Sequence, residues 1–203
     1  MNNKKVFLII LLVFVFLLGG ASVLYNRLSQ TVAPDQLVVQ NPQQQTDPSG
    51  ETASTNPKQT EPVKVPAPDF TVYDLDGNEV HLSDYFGKPI VLNFWASWCG
   101  PCQMEMPDFQ EAYLELCDSI AFLMVNMTDG MRETVVVASD FITKKGYTFP
   151  VLYDKASDAA ATYGVYSLPT TYFIDAEGYA IAQATGAINR STLQRGIDLI
   201  TSQ

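Results

Sequence analysis

Cys99 and Cys102, two residues apart in Trp98-Cys99-Gly100-Pro101-Cys102, are the side chains whose type and spacing most directly define a chemistry. Such a pair closes to a disulfide and reopens, which is redox chemistry that needs no cofactor. The apolar run Pro89–Trp95 before it reads as a buried strand, and the stretch from Pro101 reads as a helix. Cys99 then sits at the helix N-terminus, where unpaired N–H groups and the macrodipole favour a thiolate. Cys102 lies one turn in, placed to attack a mixed disulfide formed at Cys99. Gly100 and Pro101 separate the two, and Pro101 suits the first turn because its missing N–H would have had no partner there.

A Cys-x-x-Cys pair can also be half of a zinc site or a structural bridge. A structural zinc takes about four ligands, whereas this chain offers three cysteines and one histidine, His81, with no second Cys-x-x-Cys; no metal is expected. A purely structural bridge across so short a loop removes little unfolded-state entropy. Cys117 reads as a core thiol on the inner face of the first long helix, and His81 as a surface residue. Trp95 ends a buried strand and reads as packing. Trp98 adjoins the nucleophile and reads as its shield or as a substrate contact.

The chain has 203 residues and a formal net charge of −10. From Pro66 onward seven Lys and Arg stand against eighteen Asp and Glu, a balance of −11 that argues against nucleic acid and other polyanions as partners. Val6 to Leu24 is an uncharged apolar stretch of 19 residues. As a helix it spans about 28 Å at ~1.5 Å per residue, close to the ~30 Å hydrocarbon core. Lys4 and Lys5 precede it and Arg27 follows, which favours a cytoplasmic N-terminus and an extracytoplasmic remainder. Residues 1–25 are therefore expected to form a retained single-pass anchor in the cell membrane. A cleaved signal with Gly19-Gly20-Ala21 as its processing site is the rival. Residues 26–65, rich in Gln, Thr, Pro, Asn and Ser, read as a disordered polar linker.

The remainder, 66–203, reads as one α/β domain. Strands are expected around Phe70–Leu75, Val80–Leu82, Pro89–Trp95, Ile120–Asn126, Phe149–Tyr153, Thr171–Ile174 and Ala180–Ala184. Helices are expected over Pro101–Asp118, with a kink at Pro107, over Arg132–Lys145, with Val136 and Phe141 near its inner stripe, and over Arg190–Thr201. Parallel crossovers ending in a hairpin at Asp175-Ala176-Glu177-Gly178 imply a mixed sheet flanked by helices. The Cys-x-x-Cys follows the C-terminal end of a central strand, where open α/β sheets place their sites.

With strand, Trp-Cys-Gly-Pro-Cys and helix in this order, the chain resembles thioredoxin-fold proteins. Pro66-Ala67-Pro68-Asp69-Phe70, Leu82-Ser83-Asp84, Gly87-Lys88-Pro89 and the flanks of the motif, with Cys102-Gln103-Met104-Glu105-Met106-Pro107, resemble the TlpA/ResA-like branch of membrane-anchored thiol–disulfide oxidoreductases in the redoxin group. The resemblance implies a thioredoxin-like fold with extra N-terminal strands. It also implies a reductase of disulfides in other proteins, with apocytochrome c as the usual client, and a membrane electron donor of the CcdA/DsbD type. Asn93 stands where thioredoxin itself carries a buried aspartate, so Glu105 becomes the candidate acid, against a plain reading as a solvated carboxylate in a helix's first turns. Leu168-Pro169-Thr170 is the expected cis-proline loop, with Leu168 and Pro169 beside the dithiol to bind substrate backbone. A thiol peroxidase is the alternative, although Pro-x-x-x-Thr-x-x-Cys is missing. A non-catalytic binding module is the other, and the intact cysteine pair argues against it.

Overall fold

The computed structural model describes residues 37–39 and 64–202. Their elements run β1 (Leu37–Val39), β2 (Val65–Pro66), β3 (Thr71–Tyr73), β4 (Glu79–His81), a 3₁₀ turn (Leu82–Tyr85), β5 (Ile90–Trp95), α1 (Gly100–Leu116), β6 (Ala121–Asn126), α2 (Val135–Lys145), β7 (Val151–Tyr153), α3 (Asp158–Thr162), β8 (Thr170–Ile174), β9 (Tyr179–Thr185) and α4 (Arg190–Thr201). The sheet order is β1-β9-β8-β5-β6-β7-β3-β4, with β2 also on β9. Strands β5, β6 and β7 are parallel, and the other pairings are antiparallel. This is the mixed, helix-flanked sheet that the sequence predicts.

All six residues of β5 are buried, as its near-continuous apolar run requires of a strand covered on both faces. Its alternation sorts the core in two. Ile90, Leu92 and Phe94 pack with Phe70, Leu82 and Tyr163. Val91 and Trp95 face the other way, onto Met106 and Phe109 of α1 and Leu193 and Ile197 of α4. Asn93 lies in register with these, so its amide points into the α1 layer. Burying a side chain such as Phe109 contributes about 2–3 kcal/mol. Gly196 in α4 marks the closest approach of helix to sheet, since a Cβ there would overlap the Phe173 ring. That contact explains a mid-helix glycine, which otherwise costs about 1 kcal/mol relative to alanine.

Several expectations are corrected. Leu37–Val39 lies inside the expected linker, yet pairs antiparallel with Ala182–Ala184 of β9. Three consecutive apolar residues suffice for one strand on an open edge. The rest of that linker up to residue 63, and the expected anchor, lie outside the described residues. Among the described residues no helix is long and apolar enough to cross a membrane. Cys117 is exposed at the end of α1 rather than buried. Steps of four residues advance about 40° around a helix, so a line from Phe109 through Tyr113 leaves the core before Cys117. The buried stripe is instead Cys102, Glu105, Met106, Phe109 and Ala112. Val136 is exposed for a related reason: five residues separate it from Phe141, about 140° around the helix. Ala138 is buried in its place. Leu75 is exposed beyond the end of β3, and His81 is half-buried with Nδ1 3.3 Å from Thr71 Oγ1.

Candidate active site

The C-terminal end of β5 delivers the chain through Ala96-Ser97-Trp98 to Cys99, the N-cap of α1. Cys99 and Cys102 are joined as a disulfide with Cα atoms 5.2 Å apart. The N–H of Cys102 donates to Cys99 Sγ at 3.2 Å, so the N-cap interaction usually made by an oxygen is made here by sulfur. The two sulfurs are not equivalent. Cys102 is fully buried in the α1–sheet core, whereas Cys99 retains a small exposed area and borders a groove of about 560 Å³. Trp98, Pro101, Asp129, Tyr166 and Leu168 line that groove with Cys99. Tyr166 is 98% exposed, an aromatic ring standing free at the rim. Trp98 is about half exposed, and the Arg132 guanidinium stacks 4.2 Å from its ring centre.

The Leu168–Pro169 peptide bond is cis, as expected from the sequence. Pro169 is buried and its carbonyl accepts from Gly186 N–H at 2.8 Å, which ties the loop to the end of β9. Thr170 Oγ1 donates to Ser167 O at 2.9 Å. Leu168, half-buried, is left on the groove beside Cys99.

Glu105 is not solvated. It is buried one turn beyond Cys102 on the same face of α1. Asn93 Nδ2 donates to its Oε1 at 2.8 Å and Ile188 N–H to its Oε2 at 2.9 Å. Burial pushes its carboxyl up to about 8, against the pull of those two donors, with Asp108 adding a smaller upward push. The Asn93 amide also donates to Thr171 Oγ1 at 3.0 Å, while its Oδ1 has no partner among the described residues. The amide is thus aimed with its donors at Glu105 and cannot serve as a base.

Sequence reasoning missed Arg132, Tyr166 and a second buried acid, Glu133, whose carboxylate binds Ser97. The available signal was positional: Glu133 follows the C-terminal end of β6, next to the end of β5. Among the described residues no cluster of His, Cys, Asp and Glu could hold a metal.

The AhpC/TSA family model matches residues 63–182. The thiol-disulfide oxidoreductase ResA of Bacillus thuringiensis (strain Al Hakam) is 36% identical over 135 residues, which cover 66% of this chain and 76% of that protein. The crystal structure of StoA from Bacillus subtilis superposes with a TM-score of 0.56 at 27% identity, covering 66% of this chain and 98% of that one. The pneumococcal exposed lipoprotein thioredoxin Etrx1 from Streptococcus pneumoniae strain TIGR4 gives a TM-score of 0.54 at 37% identity over 65% of this chain and all of that one.

Proposed function

We propose, from the premise that this chain belongs to the AhpC/TSA family and within it to the ResA-like thiol–disulfide oxidoreductases, that it is an extracytoplasmic, membrane-tethered reductase of disulfides in client proteins. The observation that carries the reading is the unequal exposure of the pair: Cys99 opens onto the groove and Cys102 lies behind it. In the reduced protein the Cys99 thiolate, favoured by the N-terminus of α1, attacks a client disulfide and expels one client thiolate. Cys102 then attacks Cys99 Sγ, releasing the second client thiolate and closing the Cys99–Cys102 disulfide. Two electrons pass to the client, and a donor of the CcdA/DsbD type returns the pair to the dithiol. Glu105, one turn from Cys102, takes up or supplies the proton of the resolving thiol. Leu168, held by cis-Pro169, offers backbone groups to an extended client segment, and Trp98 covers one side of it.

Tethering rests on Val6–Leu24 and its flanking charges, with the domain on the extracytoplasmic side. The pneumococcal relative is named as an exposed lipoprotein. This chain has no cysteine near residue 20 for lipid attachment, so the tether proposed is the apolar segment Val6–Leu24 itself. Apocytochrome c is the client class proposed. Insulin reduction and peroxide consumption, run side by side, test the activity. Rapid insulin reduction that disappears in Cys99→Ser supports it, and turnover of peroxide in preference to insulin replaces it with a peroxidase.

A further inference from the structure

Glu133 is fully buried in the stretch between β6 and α2, and no step above uses it. Its Oε1 accepts from Ser97 N–H and from Asn126 Nδ2, both at 2.7 Å, and its Oε2 accepts from Ser97 Oγ–H at 2.6 Å. Its own N–H donates to Asp129 Oδ1 at 2.9 Å, which also takes the N–H of Met131 at 2.7 Å. Glu133 therefore ties three pieces together: its carboxylate holds the loop that leads into Cys99 and the end of β6, and its backbone N–H holds Asp129, which with Met127 and Thr128 forms a wall of the groove. From the helix side Gln103 Nε2 donates to Ser97 O at 2.6 Å, so Ser97 is held on both sides. Arg132, the neighbour of Glu133, reaches over Trp98. The polar satisfaction is complete on the acid, as a buried carboxylate requires.

We propose that Glu133 is a positioning residue of the reductase, a clamp that fixes the spacing between the 127–129 wall and Cys99 and so favours extended peptide disulfides over small ones. This rests on the reductase reading. A client segment lying in the groove must touch the wall and Cys99 at once, whereas a small disulfide needs only Cys99. Misplacement by about 1 Å can cost about a hundredfold in rate, even from a change remote from the chemistry. Glutamine can keep the geometry: its oxygen can take the Ser97 and Asn126 N–H groups while its NH₂ faces Ser97 Oγ, which can accept as well as donate.

The test compares the full chain with Glu133→Ala, Glu133→Gln and Ser97→Ala on insulin and on the small aromatic disulfide 5,5′-dithiobis(2-nitrobenzoate). Glu133→Ala is expected to lose about tenfold or more in kcat/KM on insulin and less than about threefold on the small disulfide, with Glu133→Gln recovering most of the loss. Equal losses on both substrates, or none, overturn the clamp, and a glutamine variant as poor as alanine shows that charge rather than spacing is at work and overturns it too. Should Glu133→Ala not fold, Ser97→Ala carries the test: a selective loss on insulin supports the clamp and an equal loss refutes it. A wild-type chain inactive on both substrates instead removes the reductase reading, and the clamp with it.

Discussion

Glu105→Gln should change how stability depends on pH, and the sign follows from burial. The carboxyl ordinarily titrates near 4.5 and is pushed up to about 8 in the fold. The folded chain therefore binds this proton more tightly than the unfolded chain does. Below about pH 4.5 both forms carry it and burial costs nothing in charge. Between about 4.5 and 8 the unfolded chain releases it while the folded one retains it, so stability falls as pH rises, and above 8 the loss is complete. Each pH unit across that window is worth about 1.4 kcal/mol, which sets a ceiling of roughly 4–5 kcal/mol. Glutamine never charges. Its NH₂ must face Asn93 Nδ2 or Ile188 N–H, where the hydroxyl oxygen of the protonated acid can still accept, so near pH 5 the variant should be less stable than the wild type by about 1–2 kcal/mol. Near pH 8.5 the variant should be the more stable by about 2–4 kcal/mol. Guanidinium unfolding of the oxidised proteins from pH 5 to 8.5 measures the difference. A gap between the two that stays constant over this range would refute the burial argument.

Three further outcomes follow from the packing and the site. Gly196→Ala should lower stability by about 1–3 kcal/mol, seen as a reduced Tm, because the added Cβ overlaps the Phe173 ring. Phe109→Ala should cost about 3–5 kcal/mol in chemical denaturation, since the ring is wholly buried between α1 and the sheet. In the reduced protein iodoacetamide should label Cys99 before Cys102, and Cys102→Ser should accumulate mixed disulfides with clients. Faster labelling at the buried Cys102 would reverse the assigned roles.

The parts of the site fixed by local chain geometry were legible in the sequence. The run Ile90–Trp95 identifies a strand buried on both faces, and Cys-Gly-Pro-Cys after it identifies a helix start with one sulfur at the cap. The cis bond at Pro169 was legible only through the family resemblance, since a proline before Thr-Thr-Tyr-Phe-Ile alone marks no more than a strand start. The burial of Glu105 could have been read: Cys102, Glu105 and Phe109 sit at i, i+3 and i+7 on one helix face. Following Phe109 toward Tyr113 and Cys117 instead drifts off that face. For Glu133 only its place after the C-terminal end of β6 was legible; its partner Ser97 was not, because the two lie 36 residues apart and meet only after β5 and β6 pair in register. The five-residue helix α3 is too short to show a period, and β1 depends on an edge of β9 that no local pattern announces.

The reduction potential of the Cys99–Cys102 couple tests the reductase account most directly. A strong oxidant is one whose reduced form is stabilised. Here the helix terminus and the Cys102 N–H favour the Cys99 thiolate, but the residues lining its groove supply Asp129 and no Lys or Arg. The stabilisation is therefore moderate. Equilibration against glutathione or dithiothreitol is expected to give a potential nearer thioredoxin's ~−270 mV than the ~−120 mV of a strong oxidase. A value above about −180 mV, the range of an isomerase, would contradict the account.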